Sequence, residues 1–335
     1  MSFLLRPARD DDAGAVIAVV SGCWDEYPGC VTDIDGEAPE LRALASHMAA
    51  KGGAAWVVEA DGAVAGVCAV WPAGEGAWEL GKMYVAAGAR GTGAARALAD
   101  TAERHASDAG AGEMRLFSDT RFDRAHAFYE KRSYVRHGAL RALGDKSNSI
   151  EFGYTKPLTG VVVRALDVAA LDSATHRLSA ILCACVDGGA SVSFLPPLPM
   201  ETARAFWRRG VGAVAGGRRI VLAAWADGEL AGTVTLDCDT PDNQPHRADV
   251  AKLLVHPAAR RHGIARALMR HAEAAAREAG RSLLTLDTCQ GGAAESLYRA
   301  MGWVRAGSIP GYAIHADGTL CDTVLFYKQL ADASA

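Results

Sequence analysis

The sequence predicts an α/β domain made twice, with hairpins mixed among crossover helices. Three observations carry that reading: a self-repeat, a short apolar strand that turns into a long helix in each copy, and alternating strands joined by Asp-Gly. "ARGTGAARAL" (89–98) and "ARRHGIARAL" (259–268) agree at seven of ten positions, 170 residues apart. The match extends upstream, where "ELGKMYVAAG" (79–88) lies over "DVAKLLVHPA" (249–258) at the same offset. Downstream, "AHAFYEKRSYVRHG" (125–138) answers "AESLYRAMGWVRAG" (294–307) at an offset of 169. One repeat at this period means two similar domains and not a solenoid. A chain of 335 residues has room for two. The seam falls near "TKPLTG" (155–160), so the expected domains are 1–158 and 159–335.

Each half opens on a strand, "LLRPARDDD" or "VVRALDVAA", followed by helical stretches. A hairpin comes next, "VVEADGAVAGVCAV" (57–70) or "LAAWADGELAGTVTL" (222–236), turning at Asp-Gly. "KMYV" and "KLLV" then read as short buried strands ahead of a glycine-bearing turn. The helices that follow, "RGTGAARALADTAERHASDAG" and "RHGIARALMRHAEAAAREAG", are alanine-rich, amphipathic and end at Gly. A strand, a shorter aromatic helix and a closing hairpin strand ("SNSIEFGYTK", "DTVLFYKQL") complete each half.

Composition narrows the function classes. The formal charge is −4 with both signs interspersed, so neither a basic stripe for nucleic acid nor a polybasic arm for membrane is present. The tryptophans show no basic interleaving of the kind that base stacking along a strand uses. No apolar run reaches membrane length, and the acidic "MSFLLRPARDDD" does not read as a signal peptide. The eight cysteines are scattered without C-x-x-C, and the ten histidines form no cluster. Free thiols, no metal and a cytoplasmic location are the resulting expectations.

A strand that turns into a helix leaves backbone N–H groups free beside the positive end of the helix dipole, which suits a phosphate. Gly93 and Gly263 permit close approach, Arg90 and Arg260 add a cation, and Ala95 and Ala265 keep the helix near. Neither copy has the lysine of a Walker loop or the third glycine of a dinucleotide fingerprint.

With R-x-x-G-x-A after a buried strand, and "A-x-x-[F/L]-Y" opening the later helix, both halves resemble the GCN5-related N-acetyltransferase (GNAT) family. The resemblance implies two tandem GNAT-like domains, each a mixed, mostly antiparallel sheet flanked by helices, with acetyl-CoA as cofactor. It implies that Arg90, Gly91, Thr92, Gly93, Ala94 and Ala95 bind the CoA pyrophosphate, as do Arg260, Arg261, His262, Gly263, Ile264 and Ala265. Met83, Tyr84 and Val85, with Leu253, Leu254 and Val255, would bond the pantetheine arm. Tyr129 and Tyr298 fall where the family places a tyrosine near the CoA sulfur; the other reading is core packing.

Acetyl transfer to an amine needs a proton acceptor, an oxyanion donor and an acid for the thiolate. Glu79 and Asp249 each sit six residues before Val85 and Val255, which strict alternation puts on the same face unless a bulge intervenes. They are the candidate bases, or else exposed carboxylates at a strand start. Asp119 and Asp287 would orient an acceptor amine or cap the next helix, and Lys82 and Lys252 read as a solvated face. The acidic, aromatic stretch 21–40 suits a cationic amine; the stretch 185–207 is more apolar and proline-rich. The second half also resembles the acetyltransferases related to tabtoxin-resistance protein, which implies a small amino-acid-like amine. The partner expected overall is a small-molecule amine.

Overall fold

A computed structural model of the chain describes residues 3–315 and 317–330. Within these, one compact unit runs up to Tyr129 and takes in Arg136–Thr159. The other comprises Glu130–Val135 and the chain from Gly160 onward.

The first unit holds β1 (Phe3–Pro7), α1 (Ala13–Trp24), α2 (Ile34–Glu37), α3 (Leu44–Ala50), β2 (Ala54–Ala60), β3 (Ala63–Gly74), β4 (Ala77–Val85), α4 (Ala94–Asp108), β5 (Glu113–Asp119), α5 (Asp123–Lys131), β6 (Val135–Arg136), β7 (Arg141–Ala142) and β8 (Ile150–Pro157). The sheet order is β1-β2-β3-β4-β5-β8-β6, with β7 against β8. Neighbours β1 to β4 pair antiparallel, as do β5 and β8. Between β4 and β5 the pairing is parallel. A parallel pair needs a crossover, and α4 supplies it.

The second unit repeats the plan with β9 (Val161–Leu166), α6 (Val168–Asp187), α7 (Met200–Ala215), β10 (Arg219–Ala226), β11 (Glu229–Asp237), β12 (Arg247–Val255), α8 (Ile264–Glu278), β13 (Leu283–Cys289), α9 (Ala293–Ala300), β14 (Val304–Ile314) and β15 (Leu320–Gln329). Its sheet runs β14-β15-β13-β12-β11-β10-β9, with β12 and β13 the parallel pair crossed over by α8. Both units are thus mixed, mostly antiparallel sheets with helices.

The crossover helices are short-side-chain helices for a packing reason. Ala94, Leu98, Ala99, Ala102 and Ala106 bury one stripe of α4, and Ile264, Leu268, Met269, Ala272 and Ala276 the matching stripe of α8. That spacing follows the 3.6-residue period. Alanines along it let the helix axis approach the sheet, while the opposite face keeps Arg96 and Arg104, and Arg266 and Arg270, in water.

Two local features shape the sites. Parallel pairing lasts only from Ala77 to Glu79 in the first unit and from Arg247 to Asp249 in the second. Past those residues β4 and β12 have no ladder partner on that side among the described residues, and the sheet opens. Each strand also carries a β-bulge just beyond the last paired residue. Four residues of β4, from Gly81 to Tyr84, oppose three of β3; β12 does the same from Ala251 to Leu254. At the bulges Lys82 and Lys252 both adopt φ 52°, a left-handed conformation uncommon for lysine. The extra residue reverses the alternation. Glu79 and Val85 therefore lie on opposite faces, as do Asp249 and Val255, contrary to strict alternation.

The cysteines depart from expectation in one place. Cys289 and Cys321 are joined as a disulfide, with Cα atoms 6.3 Å apart, while Cys23, Cys30, Cys68, Cys183, Cys185 and Cys238 are free. Cys289 pairs across the ladder with Thr323, which puts Cys321 diagonally opposite on the same face. That register is a tertiary fact that cysteine spacing did not reveal. Among the described residues, no helix is long and apolar enough to cross a membrane.

Candidate active site

In the first unit the turn between β4 and α4 is built by glycine. A 3-10 turn at Ala87–Ala89 leads to Arg90 in extended conformation, and then Gly91 and Gly93 take φ 75° and 96°. A Cβ at Gly91 would meet nothing within 4 Å, so conformation and not space demands glycine there. Thr92 Oγ1 donates to the Ala89 carbonyl at 2.7 Å and steadies the turn. α4 begins at Ala94, and its first amides lack intrahelical acceptors. The second unit copies this with Pro257–Ala259, Arg260 extended, and Gly263 at φ 78°. Where the first turn has Gly91, the second has Arg261, at φ 71°.

Arg90 points back across the turn. Its Nε donates to the Val85 carbonyl at 3.0 Å, and its two Nη atoms clasp the Glu26 carboxylate, each at 2.6 Å. Arg124, at the start of α5, also reaches Glu26 at 3.0 Å. The guanidinium groups hold Glu26 below the usual carboxylate range. In the second unit Arg260 makes the equivalent bond to Val255 at 3.2 Å and approaches Cys185 Sγ at 4.0 Å; Gly188 follows in the region that Glu26 occupies in the first.

A cavity of about 360 Å³ lies at the first turn, lined by Met83, Tyr84, Val85, Arg90, Gly91, Ala95 and Tyr129 together with Cys23, Tyr27, Phe122, Arg124, Ala125 and Phe128. Thr92, Gly93 and Ala94 belong to the turn without lining it, and the Ala94 side chain packs into the core. A second chamber of about 200 Å³ shares Met83, Tyr84, Phe122, Ala125 and Tyr129 with the first. Its remaining wall carries Glu37, Asp119, Asp145 and Glu151 against Lys82. Lys82 is held by Glu40 at 2.5 Å. Asp119 and Glu151 are answered by Arg121 and Arg141, at 2.5 and 2.6 Å. Burial pushes the Asp119 carboxyl up, but hydrogen bonds from the Arg121 side chain, the Arg121 amide and Ser149 outweigh it and bring it below the ordinary range.

In the second unit a cavity of about 570 Å³ is lined by Leu253, Arg260, Tyr298, Val250, Ala251, Lys252, Asp287, Thr288 and His315, among others. Leu254 and Ile264 are buried in the core, and Val255, Arg261, His262, Gly263 and Ala265 lie outside that wall. The Lys252 ammonium stands 5.5 Å from the Phe206 ring and 5.9 Å from Phe194, with Nζ donating to Ser193 Oγ at 3.2 Å. Burial lowers its pKa. It is therefore a wall residue and not the solvated strand face that the sequence indicated.

Both tyrosines are almost wholly buried, 6% exposed. Burial raises the Tyr129 phenol above its usual value, and raises Tyr298 to about 12, with Asp287 adding to the latter. The two carboxylates have different surroundings, and neither lines these cavities. Glu79 is pushed up by burial, opposed by Arg141. Asp249 is engaged by Arg247 and Thr285 through short contacts of one carboxylate oxygen.

The acetyltransferase (GNAT) family model matches residues 18–134 and again 191–303, most of the chain. The chain belongs to the GNAT family. It is an acetyltransferase, and acetyl-CoA is its acyl donor. Similar solved structures each cover one such domain. yncA from Salmonella typhimurium, with its cofactor acetyl-CoA, is 18% identical and covers 53% of this chain and 98% of its own, with a TM-score of 0.44. A GNAT acetyltransferase from Streptococcus pneumoniae is 20% identical, covering 50% and 99%, TM-score 0.42. A ribosomal-protein-alanine N-acetyltransferase from Brucella melitensis is 23% identical, covering 50% and 99%, TM-score 0.43.

Three features of these sites are not evident from the sequence. Glu26 clasping Arg90 has no counterpart to flag it by repetition. Cys23 and Cys185 do recur: each thiol donates to the carbonyl that ends its bulged strand, Val85 at 3.5 Å and Val255 at 3.3 Å. Aligning "SGCW" with the end of α6 would have found them. The third, Lys252, was visible as a match to Lys82 but not as a residue facing inward.

Proposed function

We propose that domains 1–158 and 159–335 each transfer the acetyl group of acetyl-CoA to a primary amine of a small molecule. The observation that carries this reading is the first unit's pair of chambers, which meet at Tyr129: one bears the phosphate turn, the other is small and acidic. About 200 Å³ suits a small amine better than a peptide.

Acetyl-CoA supplies the activated acyl group; the chain's own residues bind, orient and move protons. The amides of 90–95 and of 260–265, with Arg90 and Arg260, take the pyrophosphate at a helix N-terminus. Met83–Val85 and Leu253–Val255, unpaired on one side beyond the parallel stretch, offer backbone N–H groups to the pantetheine arm and the developing oxyanion. Tyr129 and Tyr298 donate a hydrogen bond to the departing sulfur. Their raised pKa values keep them protonated, and the same desolvation that raises them also makes a thiolate in the cavity more basic. Glu79, pushed up by burial and set back from both chambers, accepts the proton in the first unit through a relaying water. Asp249, the candidate base of the second, shares its carboxylate with Arg247, which supports slower turnover there.

The walls support different acceptors. Once Arg121, Arg141 and Glu40 have taken their partners, Glu37 and Asp145 leave the first acceptor chamber acidic, as a cationic amine requires. Lys252 and Arg260 against Asp287 favour, in the second, an amine that carries its own acidic group. The test is thiol release from acetyl-CoA with diamines, amino acids and a peptide amine, run on the whole chain and on its Tyr298→Phe form. Diamines should remain substrates of the Tyr298→Phe protein, while turnover of amino acids collapses. Release with the peptide alone, or with no amine, would overturn the reading.

A further inference from the structure

At the mouth of the second cavity three soft donors converge from separate elements. Cys289 ends β13, His315 lies in the turn between β14 and β15, and Cys321 begins β15. Their ligand atoms all lie within 4.8 Å of one another, and Cys289 Sγ is 3.9 Å from His315 Nε2. In the structure the two sulfurs are bonded.

The first unit shows what this corner is for. Aligning Asp119-Thr120 with Asp287-Thr288 puts Arg121 over Cys289. Arg121 cross-links the end of its strand to the approach to β8, donating to Ser149 Oγ at 3.0 Å and to the Ser147 carbonyl at 3.4 Å. The ladder registers, Asp119 on Glu151 and Cys289 on Thr323, place Ser147 where the second unit has Cys321. The same corner is therefore fastened twice, by a guanidinium in one unit and by sulfur in the other.

We propose that Cys289, His315 and Cys321 form a Zn²⁺ site in the reduced protein. Two thiolates and one imidazole are a zinc donor set, and three protein ligands leave a fourth position for water. His315 and Cys289 line the cavity, so that open position lies toward the cavity that holds Tyr298 and Asp287. Metal and disulfide exclude each other because they use the same two sulfurs. A dithiol breaks the Sγ–Sγ bond by closing its own disulfide, and supplies the two electrons and two protons that leave Cys289 and Cys321 as thiols. Zn²⁺ then displaces the two thiol protons on binding. Coordination fixes the β14–β15 turn against the end of β13, and oxidation releases the ion.

Cobalt(II) is the probe. The full chain, reduced with a phosphine and freed of it, should take up one equivalent of Co²⁺ with a thiolate-to-metal charge-transfer band, and Zn²⁺ should bleach that band. Exposed His315 and half-buried Cys289 give variants that fold. His315→Ala should weaken Co²⁺ binding roughly tenfold or more, and Cys289→Ser should abolish the band, while Cys30→Ser leaves it intact. Oxidised protein should show none. A reduced chain without the band overturns the proposal, as does a band that survives Cys289→Ser and His315→Ala or disappears in Cys30→Ser.

Discussion

In the proposed chemistry, Tyr129 and Glu79 carry the first unit's proton transfers. Both are perturbed in the same direction by the same cause, loss of water. For the tyrosines, removing the phenolic oxygen leaves packing nearly unchanged. Tyr129→Phe and Tyr298→Phe should each lower kcat of their own unit by roughly 100-fold or more, with acetyl-CoA affinity little altered; steady-state rates paired with calorimetric titration check this. Glu79 gives a pH prediction. Its folded pKa is raised above the unfolded value, so the fold binds this proton more tightly than the open chain does. The group's stabilising contribution is present at low pH and is lost as pH rises through the raised value. Glu79→Gln should therefore raise the melting temperature at pH 8 more than at pH 4. The first unit's rate should also lose its acid limb, which in the parent lies above that of an ordinary carboxylate. Which residue types recur at matching positions of the two halves was legible because the chain states them twice. What each side chain touches was not: Asp249 against Arg247, or Glu26 on Arg90, depends on contacts between residues far apart in sequence.

At the scale of elements, the strand, turn and long helix of each half were legible, since apolar runs, glycine and a 3.6-residue stripe are local signals. The bulge in β4 and β12 was not. It arises where a strand loses its partner on one side, and no residue type announces it; lysine at φ 52° is the opposite of what the position favours. The glycine turn is more predictable, and it offers a direct comparison. Gly91 takes φ 75° without strain, whereas Arg261 takes φ 71° with a Cβ. Arg261→Gly should stabilise the second unit by roughly 0.5–1 kcal/mol, an upward shift of about 1–4 °C in thermal unfolding. No shift, or a fall, would mean that the arginine side chain holds the turn in ways that outweigh its backbone cost.

At the scale of the whole molecule, duplication was the clearest message of the sequence, and it leaves open how alike the two clefts are in use. Their phosphate turns share a backbone but not an electrostatic starting point. Arg90 and Arg124 already hold a carboxylate, and Arg260 meets a carbonyl and a thiol. On the proposed reading, a pyrophosphate arriving at the first unit exchanges with Glu26, while at the second it gains an ion pair outright. Calorimetry should resolve two acetyl-CoA sites per chain. Dissolved salt weakens an ion pair newly formed on binding, but it weakens both sides of an exchange. The second site should thus lose affinity steeply as ionic strength rises, and the first should hold nearly constant. Glu26→Gln should make the first as salt-sensitive as the second. Two clefts copied from one plan would then answer differently to the ionic strength of their surroundings, through a single glutamate that only one of them carries.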